Sequence, residues 1–157
     1  MGQTHMAPYV PTRKIDLGRI NKIAALGPGD VFYDIGCGDG RVCRYIGMQN
    51  PNVRVVGIEI AHILYLWNKL IGLVQPLPNV EIIRGNALKE DLSDASVVYL
   101  YGLTSTFNGA YKTKLVKELK SGARIISYVF SLDEWSGEKW KDCPLQGDMP
   151  INIYEVT

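Results

Sequence analysis

The segment from Tyr33 to Arg41 combines two acidic residues, Asp34 and Asp39, with three closely spaced glycines. Asp34 lies two positions before Gly36, and glycines follow at every second position, which gives the pattern D-x-G-x-G-x-G. Glycines at this spacing let the backbone approach a ligand closely, and a helix that begins in the loop offers unpaired N–H groups. A dinucleotide fingerprint needs a third glycine where Arg41 stands. A carboxylate before the first glycine suits a ligand with an ammonium group and suits a pyrophosphate poorly.

The chemistry of this loop distinguishes between nucleotide ligands. S-adenosylmethionine carries an ammonium group, whereas NAD does not. With Gly38 and Gly40 completing the pattern, the loop resembles motif I of the class I S-adenosylmethionine-dependent methyltransferases. We therefore predict S-adenosylmethionine as the cofactor and no metal. A tight turn with a purely structural role is the alternative, and the strand and helix patterns on either side of the loop argue against it.

A second acidic residue follows the next predicted strand, Val53 to Ile58. Glu59 closes that strand, 23 positions after Gly36. In a strand–helix–strand unit this distance places a carboxylate beside the ribose of an adenosine, where it accepts hydrogen bonds from the hydroxyls. We predict that Glu59 and the adjacent Ile60 contact the cofactor. A surface glutamate without a ligand is the alternative.

An amide follows the third predicted strand, Val80 to Arg84. Asn86 can hydrogen-bond the edge of an adenine ring, and Ala87 leaves room for the ring. An ordinary asparagine turn explains Asn86 nearly as well.

The chain around these motifs alternates between strand and helix patterns. We predict strands at 31–34, 53–58, 80–84, 96–101 and 123–130, an edge strand at 151–156, and helices after Thr12, after Arg41, at 61–74 and at 111–120. The first helix is predicted to be capped by Thr12 or Asp16. This order predicts an α/β, doubly wound, mostly parallel Rossmann-like sheet with helices on both faces. The ligand is expected at the carboxyl ends of the first strands, next to Tyr101.

For three of the predicted helices, the distribution of apolar residues indicates how the helix packs on the sheet. The apolar stripe of the first comprises Ile15, Ile20, Ile23, Ala24 and Leu26. The helix at 61–74 carries apolar residues on most sides and is predicted to cover the sheet. The helix at 111–120 should turn Leu115, Val116 and Leu119 inward and four lysines outward. The stretch 135–150 has no clear pattern.

Composition limits the class of protein. The 157 residues suit one domain, predicted at 7–157, with residues 1–6 expected to be disordered or extraneous to it. A net charge of +1 gives no electrostatic case for nucleic acid. The sequence has no apolar run long enough to span a membrane and no pattern typical of a secretory signal peptide, so neither a membrane span nor secretion is predicted. The three cysteines form no C-x-x-C pair, which favours reduced thiols in the cytoplasm, and Cys37 is interpreted as small filler rather than a nucleophile.

Several runs together resemble the small archaeal protein-lysine methyltransferases, a group that includes mitochondrial lysine methyltransferases acting on the ATP synthase c subunit and the adenine nucleotide translocase. These runs are 8–12, 33–41, 57–59, 85–86, 114–124 and 127–135. The resemblance implies protein substrates methylated on lysine with loose sequence preference. It also implies that Tyr9, Pro11 and Thr12 close over the methionine end of the cofactor. By position, Asp34, Gly36 and Gly38 would hold its amino-acid portion, Glu59 the ribose, and Asn86 and Ala87 the adenine.

The chain departs from this group in two places. The membrane-associating N-terminal segment of the mitochondrial relatives is not matched, so a membrane substrate is not predicted. Tyr128 follows Ser127 where the archaeal relatives tend to have histidine.

The sequence supplies no convincing general base, because neither His5 nor His62 lies at a predicted strand end. Tyr101 and Tyr128 are the candidate catalytic residues, as channel-lining or amine-orienting groups, with core aromatics as the alternative; Tyr101 is also a cofactor-binding candidate. A base-amine methyltransferase typically has Asp/Asn-Pro-Pro-Tyr after the fourth strand, where this chain has Tyr101-Gly102-Leu103-Thr104. Three alternative functions stay open at this point: methylation of nucleic acid, methylation of a small molecule, and cofactor binding without catalysis. A monomer is favoured.

Overall fold

The computed structural model describes residues 9–132, 135, 139–142 and 148–157. Within these residues, seven strands form one sheet in the order β3-β2-β1-β4-β5-β7-β6. The strands are β1 (Val31–Ile35), β2 (Arg54–Glu59), β3 (Val80–Arg84), β4 (Val97–Leu100), β5 (Arg124–Tyr128), β6 (Lys139–Asp142) and β7 (Ile151–Glu155). A short 3₁₀ helix (Lys14–Asp16) precedes α1 (Leu17–Ala24), and α2 (Arg41–Gln49), α3 (His62–Val74), α4 (Thr104–Phe107) and α5 (Ala110–Glu118) follow along the chain.

The sheet is parallel from β3 to β5 and antiparallel where β7 joins β5 and β6. The central strands are apolar and buried on both faces, as expected of parallel strands covered by helices. Successive side chains alternate between two cores: Phe32 packs with α1 and α2, whereas Tyr33 packs with α4 and α5. This arrangement confirms the predicted doubly wound, Rossmann-like fold.

The predicted edge strand near the C-terminus is wrong in its position. Ile151 to Glu155 form β7, which pairs with β5 on one side and with β6 on the other. The edge is β6, within the stretch that had no readable pattern. Strand order depends on pairing between distant segments, so hydrophobic alternation does not reveal it.

Two predicted inward side chains point to solvent. Ile15 is 80% exposed, because the chain begins with a 3₁₀ turn whose periodicity differs from that of the α-helix that follows. Val116 on α5 is 53% exposed. Asp16 precedes α1 but makes no capping hydrogen bond with its side chain, which is buried instead. Two of the α5-region lysines, Lys112 and Lys114, are half-buried, so the four lysines do not all point outward.

The helix α3 lies on β2 and β3, yet of its thirteen residues only Asn68 is buried. Apolar residues on most of its sides had predicted a covering helix with a buried face. None of the described helices is long and apolar enough to cross a bilayer. The predictions for residues 1–6, which include His5, and the reduced thiol predicted for the third cysteine, Cys143, concern residues outside those that the structure describes.

Candidate functional site

A cavity of about 610 Å³ opens at the carboxyl ends of β1, β2 and β4. Its volume is typical of sites that hold a small molecule or cofactor. All eleven residues predicted to bind the cofactor line this single cavity: Tyr9, Pro11, Thr12, Asp34, Gly36, Gly38, Glu59, Ile60, Asn86, Ala87 and Tyr101. The carboxyl ends of parallel strands meet at one edge of the sheet, and this geometry brings together residues as far apart in sequence as Asp34 and Asn86.

The glycine loop between β1 and α2 is folded against the end of β2. The backbone N–H groups of Gly36 and Cys37 both donate to the carbonyl oxygen of Ile58, at 2.8 and 3.1 Å. Gly36 has a φ of 74°, and a Cβ placed there would meet no protein atom within 4 Å. The space beside Gly36 therefore belongs to the cavity, and the bare backbone forms part of its wall.

Gly38 is required for a different reason. A Cβ at Gly38 would collide with the Tyr9 ring, so only glycine lets the N-terminal segment cross the loop this closely. The carbonyl oxygen of Gly38 accepts a hydrogen bond from Asn68 Nδ2 of α3 at 2.7 Å. Asn68 was not among the predicted site residues. Its only distinguishing mark in the sequence is a polar side chain within a mostly apolar helix.

Glu59 is buried and joins the loop to the start of α3. Its Oε2 accepts from the N–H of Gly38 and its Oε1 from the N–H of Ala61, both at 2.7 Å. A carboxylate has about four lone-pair sites, so two backbone bonds leave capacity for further donors in the cavity. The side chain is therefore held in one orientation at the cavity wall.

Asp34 is fully buried behind the glycine loop. Burial raises the pKa of its carboxyl, a hydrogen bond from Cys43 opposes the shift, and the negative charges of Glu59 and Asp39 add to it, so that the pKa reaches about 7. Cys43 Sγ donates to Asp34 Oδ2 at 3.5 Å. A nearby cation would stabilise the ionised form of this buried carboxyl and would lower its pKa again.

Neither loop-associated thiol has the properties of a nucleophile. Cys37 and Cys43 are both free and buried. The hydrogen bond between Cys37 and Cys43 lowers the pKa of Cys37, but burial and the adjacent carboxylates outweigh it and raise that pKa overall. The pKa of Cys43 lies well above the usual thiol value, because of its hydrogen bond with Cys37 and because of burial. A thiol that stays protonated reacts slowly.

Arg41 ties the N-terminal segment to the loop. Its Nη1 donates to the carbonyl oxygen of Thr12 at 3.1 Å, and its Nη2 forms an ion pair with Asp39 at 2.6 Å. The hydroxyl of Thr12 is also hydrogen-bonded to that of Tyr99 on β4, at 2.7 Å. The segment from Tyr9 to Thr12 is thereby fixed across one side of the cavity.

The end of β3 forms a turn at the opposite side of the cavity. The carboxamide oxygen of Asn86 accepts from the N–H of Leu88 at 3.0 Å, so the asparagine turn is present. The amide nitrogen remains as the group that can donate into the cavity. Ala87 is buried beside it and adds little bulk.

The end of the cavity near β4 is aromatic and uncharged. Beyond Tyr101, the wall consists of Gly102, Ser105, Thr106, Phe107 and Tyr111. The Phe107 and Tyr111 rings meet edge to face with centroids 5.3 Å apart. No lysine or histidine among the described residues lines the cavity, and His62 is exposed at the start of α3.

Of the two candidate catalytic tyrosines, only Tyr101 lines the cavity. The Tyr128 ring packs edge-on against Tyr101, with centroids 4.8 Å apart. The Tyr128 hydroxyl donates to the buried Asp16 carboxylate, which Arg13 and Arg19 also contact at 2.7 and 3.0 Å. Burial and Asp16 raise the pKa of Tyr128 to about 12, so its phenol stays protonated.

A strained turn follows β5, which had been predicted to continue to Phe130. Val129 has a φ of 71°, an uncommon conformation for a β-branched residue. The N–H of Phe130 donates to the carbonyl oxygen of Tyr128 at 2.9 Å, which closes a three-residue γ-turn. The turn places the Phe130 ring parallel to that of Tyr101, with centroids 6.5 Å apart. Backbone strain of this kind is often found at functional sites.

Comparisons with known proteins agree with this geometry. Residues 34–139 match the family model of the ANTKMT methyltransferase domain. A protein-lysine N-methyltransferase of Saccharolobus islandicus (strain REY15A) is 34% identical over 138 residues, which cover 82% of this chain and 80% of that protein. The structure of an RNA methyltransferase from Salinibacter ruber, in complex with S-adenosyl-L-homocysteine, superimposes with a TM-score of 0.83 at 30% identity over 94% of both chains. A precorrin-6y C5,15-methyltransferase from Geobacter metallireducens shares the fold, with a TM-score of 0.68 at 18% identity over 96% of this chain and 92% of the other.

Proposed function

This chain belongs to the ANTKMT methyltransferase domain family and is an S-adenosylmethionine-dependent methyltransferase, and we propose that it methylates lysine side chains of proteins with loose sequence preference. The observation that carries the proposal is the aromatic, uncharged end of the cavity beside Tyr101. A lysine has a slender four-carbon stem, which can enter such a site while the rest of the substrate stays outside. The S. islandicus relative, a protein-lysine N-methyltransferase, supports this substrate class.

The cofactor's amino-acid portion is assigned to the glycine loop. The open space beside Gly36 accommodates it against bare backbone, and the Asp34 carboxyl lies behind the loop. A ligand ammonium near Asp34 would compensate the cost of burying its charge. Tyr9, Pro11 and Thr12, held by Arg41, would cover this end.

The adenosine portion is assigned to the ends of β2 and β3. Glu59 is fixed by two backbone N–H groups and would use its remaining lone pairs for the ribose hydroxyls. Ile60 and Ala87 would contact the adenine ring, and the amide nitrogen of Asn86 would donate to its edge. All four of these residues line the cavity at the ends of β2 and β3.

The protein's part in the reaction is to align and desolvate the amine. When bound, S-adenosylmethionine supplies an activated methyl group on its sulfonium. A lysine has an ordinary pKa of ~10.4 and must lose its proton before it can attack. The uncharged surroundings of Tyr101 and Phe107 favour the neutral amine, and the Tyr101 hydroxyl can accept a hydrogen bond from it. Because Tyr128 stays protonated beside Asp16, the proton is expected to leave to water before the amine enters.

Methylation of an RNA base is the second candidate function. The S. ruber protein, an RNA methyltransferase, favours it, and Tyr101, Phe107 and Tyr111 offer aromatic faces on which a base can stack. Phosphate groups, however, need lysine and arginine side chains. The charged groups on the cavity wall are three carboxylates and the Arg41 guanidinium, which is already paired with Asp39. This balance favours a protein substrate.

One experiment separates the two candidates. The enzyme and methyl-labelled cofactor are offered mixed folded proteins, the same proteins with acetylated lysines, and tRNA. We expect label in the untreated proteins and its loss after acetylation. Label in tRNA, or undiminished label in the acetylated proteins, would contradict the lysine assignment and leave the methyltransferase activity standing.

A cytoplasmic location and a single domain at 7–157 complete the proposal. Cys37 and Cys43 contact each other as free thiols, which supports a reducing compartment. The single domain is supported by one sheet that runs from Val31 to Glu155. Thiol titration of the protein isolated without reductant tests the first point, and a single cooperative unfolding transition tests the second.

A further inference from the structure

The outer side of α3 is built of large apolar side chains. They recur with intervals of three and four residues, which places them along one side of the helix. We call this set the α3 face: Ile63 (81% exposed), Leu66 (50%), Trp67 (49%), Leu70 (54%), Leu73 (82%) and Val74 (73%). A surface helix normally turns such residues toward the core.

The inner side of the helix is polar at the position where a core residue is expected. Asn68 is buried there, and its Nδ2 donates to the carbonyl oxygens of Gly38 and Leu64, at 2.7 and 2.8 Å. Its Oδ1 accepts from Arg44 Nη1 at 3.2 Å. The bonds to Gly38 and Arg44 fix which side of α3 faces the protein, so rotation of the helix cannot hide the apolar residues.

The exposed area of this face is large for so small a protein. Fully exposed side chains of this size present on the order of 150–180 Å² each, so the six exposed fractions together amount to roughly 600–700 Å². The largest apolar patch on a typical monomer is about 300–600 Å², and larger patches mark interaction sites. The α3 face is therefore expected to have a partner.

The charges around the face select the kind of partner. The only charged side chain on α3 is Lys69, whose ammonium lies 5.4 Å from the centre of the Tyr65 ring, and residues 60–80 contain no aspartate or glutamate. Helices that lie in a lipid surface carry a polar face rich in lysine and arginine, and nucleic acid also requires clustered cations. None of the six residues of the α3 face is charged. The surface that complements it best is therefore another uncharged, apolar surface.

We infer that the α3 face is the interface of a homodimer, in which the α3 helices of two copies of this chain pack against each other about a two-fold axis. An isologous contact needs only a self-complementary patch, and six apolar residues supply one. Two such faces remove about 1,200–1,400 Å² from water, which reaches the lower end of specific interfaces. We expect a dissociation constant in the micromolar range, because the area lies near the low end of interface sizes, where weak and transient complexes are found.

Analytical ultracentrifugation of the full chain between about 1 and 100 µM tests the inference. The expected mass rises with concentration from 17.5 kDa toward twice that value. The double variant Leu70→Gln, Leu73→Gln should stay monomeric throughout, with an unchanged near-ultraviolet circular dichroism spectrum and unchanged S-adenosylhomocysteine affinity. Both positions lie outside the cavity wall. The matched control is Val116→Gln on α5, a single exposed apolar residue, and this variant should dimerise as the natural chain does.

Three outcomes would overturn the inference. They are a natural chain that remains monomeric at 100 µM, a dimer that survives the double substitution, and a dimer that dissociates in 0.5 M NaCl, since an apolar contact is not weakened by screening. A monomer that binds phosphatidylcholine–phosphatidylglycerol vesicles through Leu70 and Leu73 would also overturn it and would assign the face to lipid. None of these results bears on the methyl acceptor.

Discussion

Replacement of Asp34 by asparagine should stabilise the free protein at alkaline pH and weaken its hold on the cofactor. Asp34 is buried, and burial raises the pKa of its carboxyl from an ordinary 3.8 to about 7. Between these two values the folded chain holds a proton that the unfolded chain has released. Folding stability therefore falls as pH rises through this window and levels off above about pH 7. Asparagine has almost the same shape and no charge, so the stability of the variant does not fall in this pH window.

The magnitude follows from the size of the shift. Each pKa unit corresponds to about 1.4 kcal/mol, so the ionised Asp34 costs on the order of 4 kcal/mol well above pH 7. Part of the cost is already present at pH 5. The variant should consequently gain about 2–3 kcal/mol in free energy of unfolding, relative to the natural chain, between pH 5 and pH 8. The same change removes the charge opposite the ligand's ammonium and should reduce S-adenosylhomocysteine affinity roughly ten- to hundredfold.

Urea unfolding at pH 5, 6, 7 and 8 measures the first effect, and calorimetry with S-adenosylhomocysteine measures the second. The matched control is Asp91→Asn. Asp91 is exposed, and a hydrogen bond from Ser93 lowers the pKa of its carboxyl, so this variant should show no gain over the natural chain as pH rises. Parallel stability curves for the natural chain and the Asp34→Asn variant would refute the raised pKa. Unchanged ligand affinity would place the ammonium elsewhere.

Three further predictions concern other residues of the site. Glu59→Gln should weaken S-adenosylhomocysteine binding by roughly 1.5–3 kcal/mol, since the carboxylate accepts charged hydrogen bonds; equal affinity by calorimetry would exclude Glu59 from the ligand. Tyr128→Phe should lower the free energy of unfolding by about 1–2 kcal/mol, because Asp16 loses a donor, and should leave the pH–rate profile unchanged. A profile that shifts in that variant would make Tyr128 the base. The methylation rate should rise between about pH 7 and pH 9 as more lysine becomes neutral, and a flat profile would contradict attack by a free amine.

The sequence by itself determined the fold class and the elements that surround the cavity at the strand ends. The bounds of β3 were predicted correctly, and those of β2 and α3 within a residue, because apolar runs and glycine or proline breaks are local signals. The positions of Asp34, Glu59 and Asn86 at strand ends were sufficient to bring them to one cavity, because parallel strands share an edge. Local sequence patterns were therefore sufficient to predict these residues of the cavity wall.

Only the tertiary structure decided which distant side chains meet. Thr12 reaches Tyr99 across 87 residues, and the Tyr128 hydroxyl reaches Asp16 across 112, pairings for which the sequence contains no local signal. The Tyr128 hydroxyl is bound to Asp16, and the Tyr128 ring packs against Tyr101.

The exposed face of α3 was decided in the same way. Apolar residues on most sides of a helix do not reveal which side faces the protein, because periodicity is then nearly uniform. In the folded chain, the hydrogen bonds of Asn68 with Gly38 of the glycine loop and Arg44 of α2 set the rotation of the helix and leave its large apolar side chains outside. A single buried amide, held by tertiary contacts with Gly38 and Arg44, thus determines the surface that α3 presents.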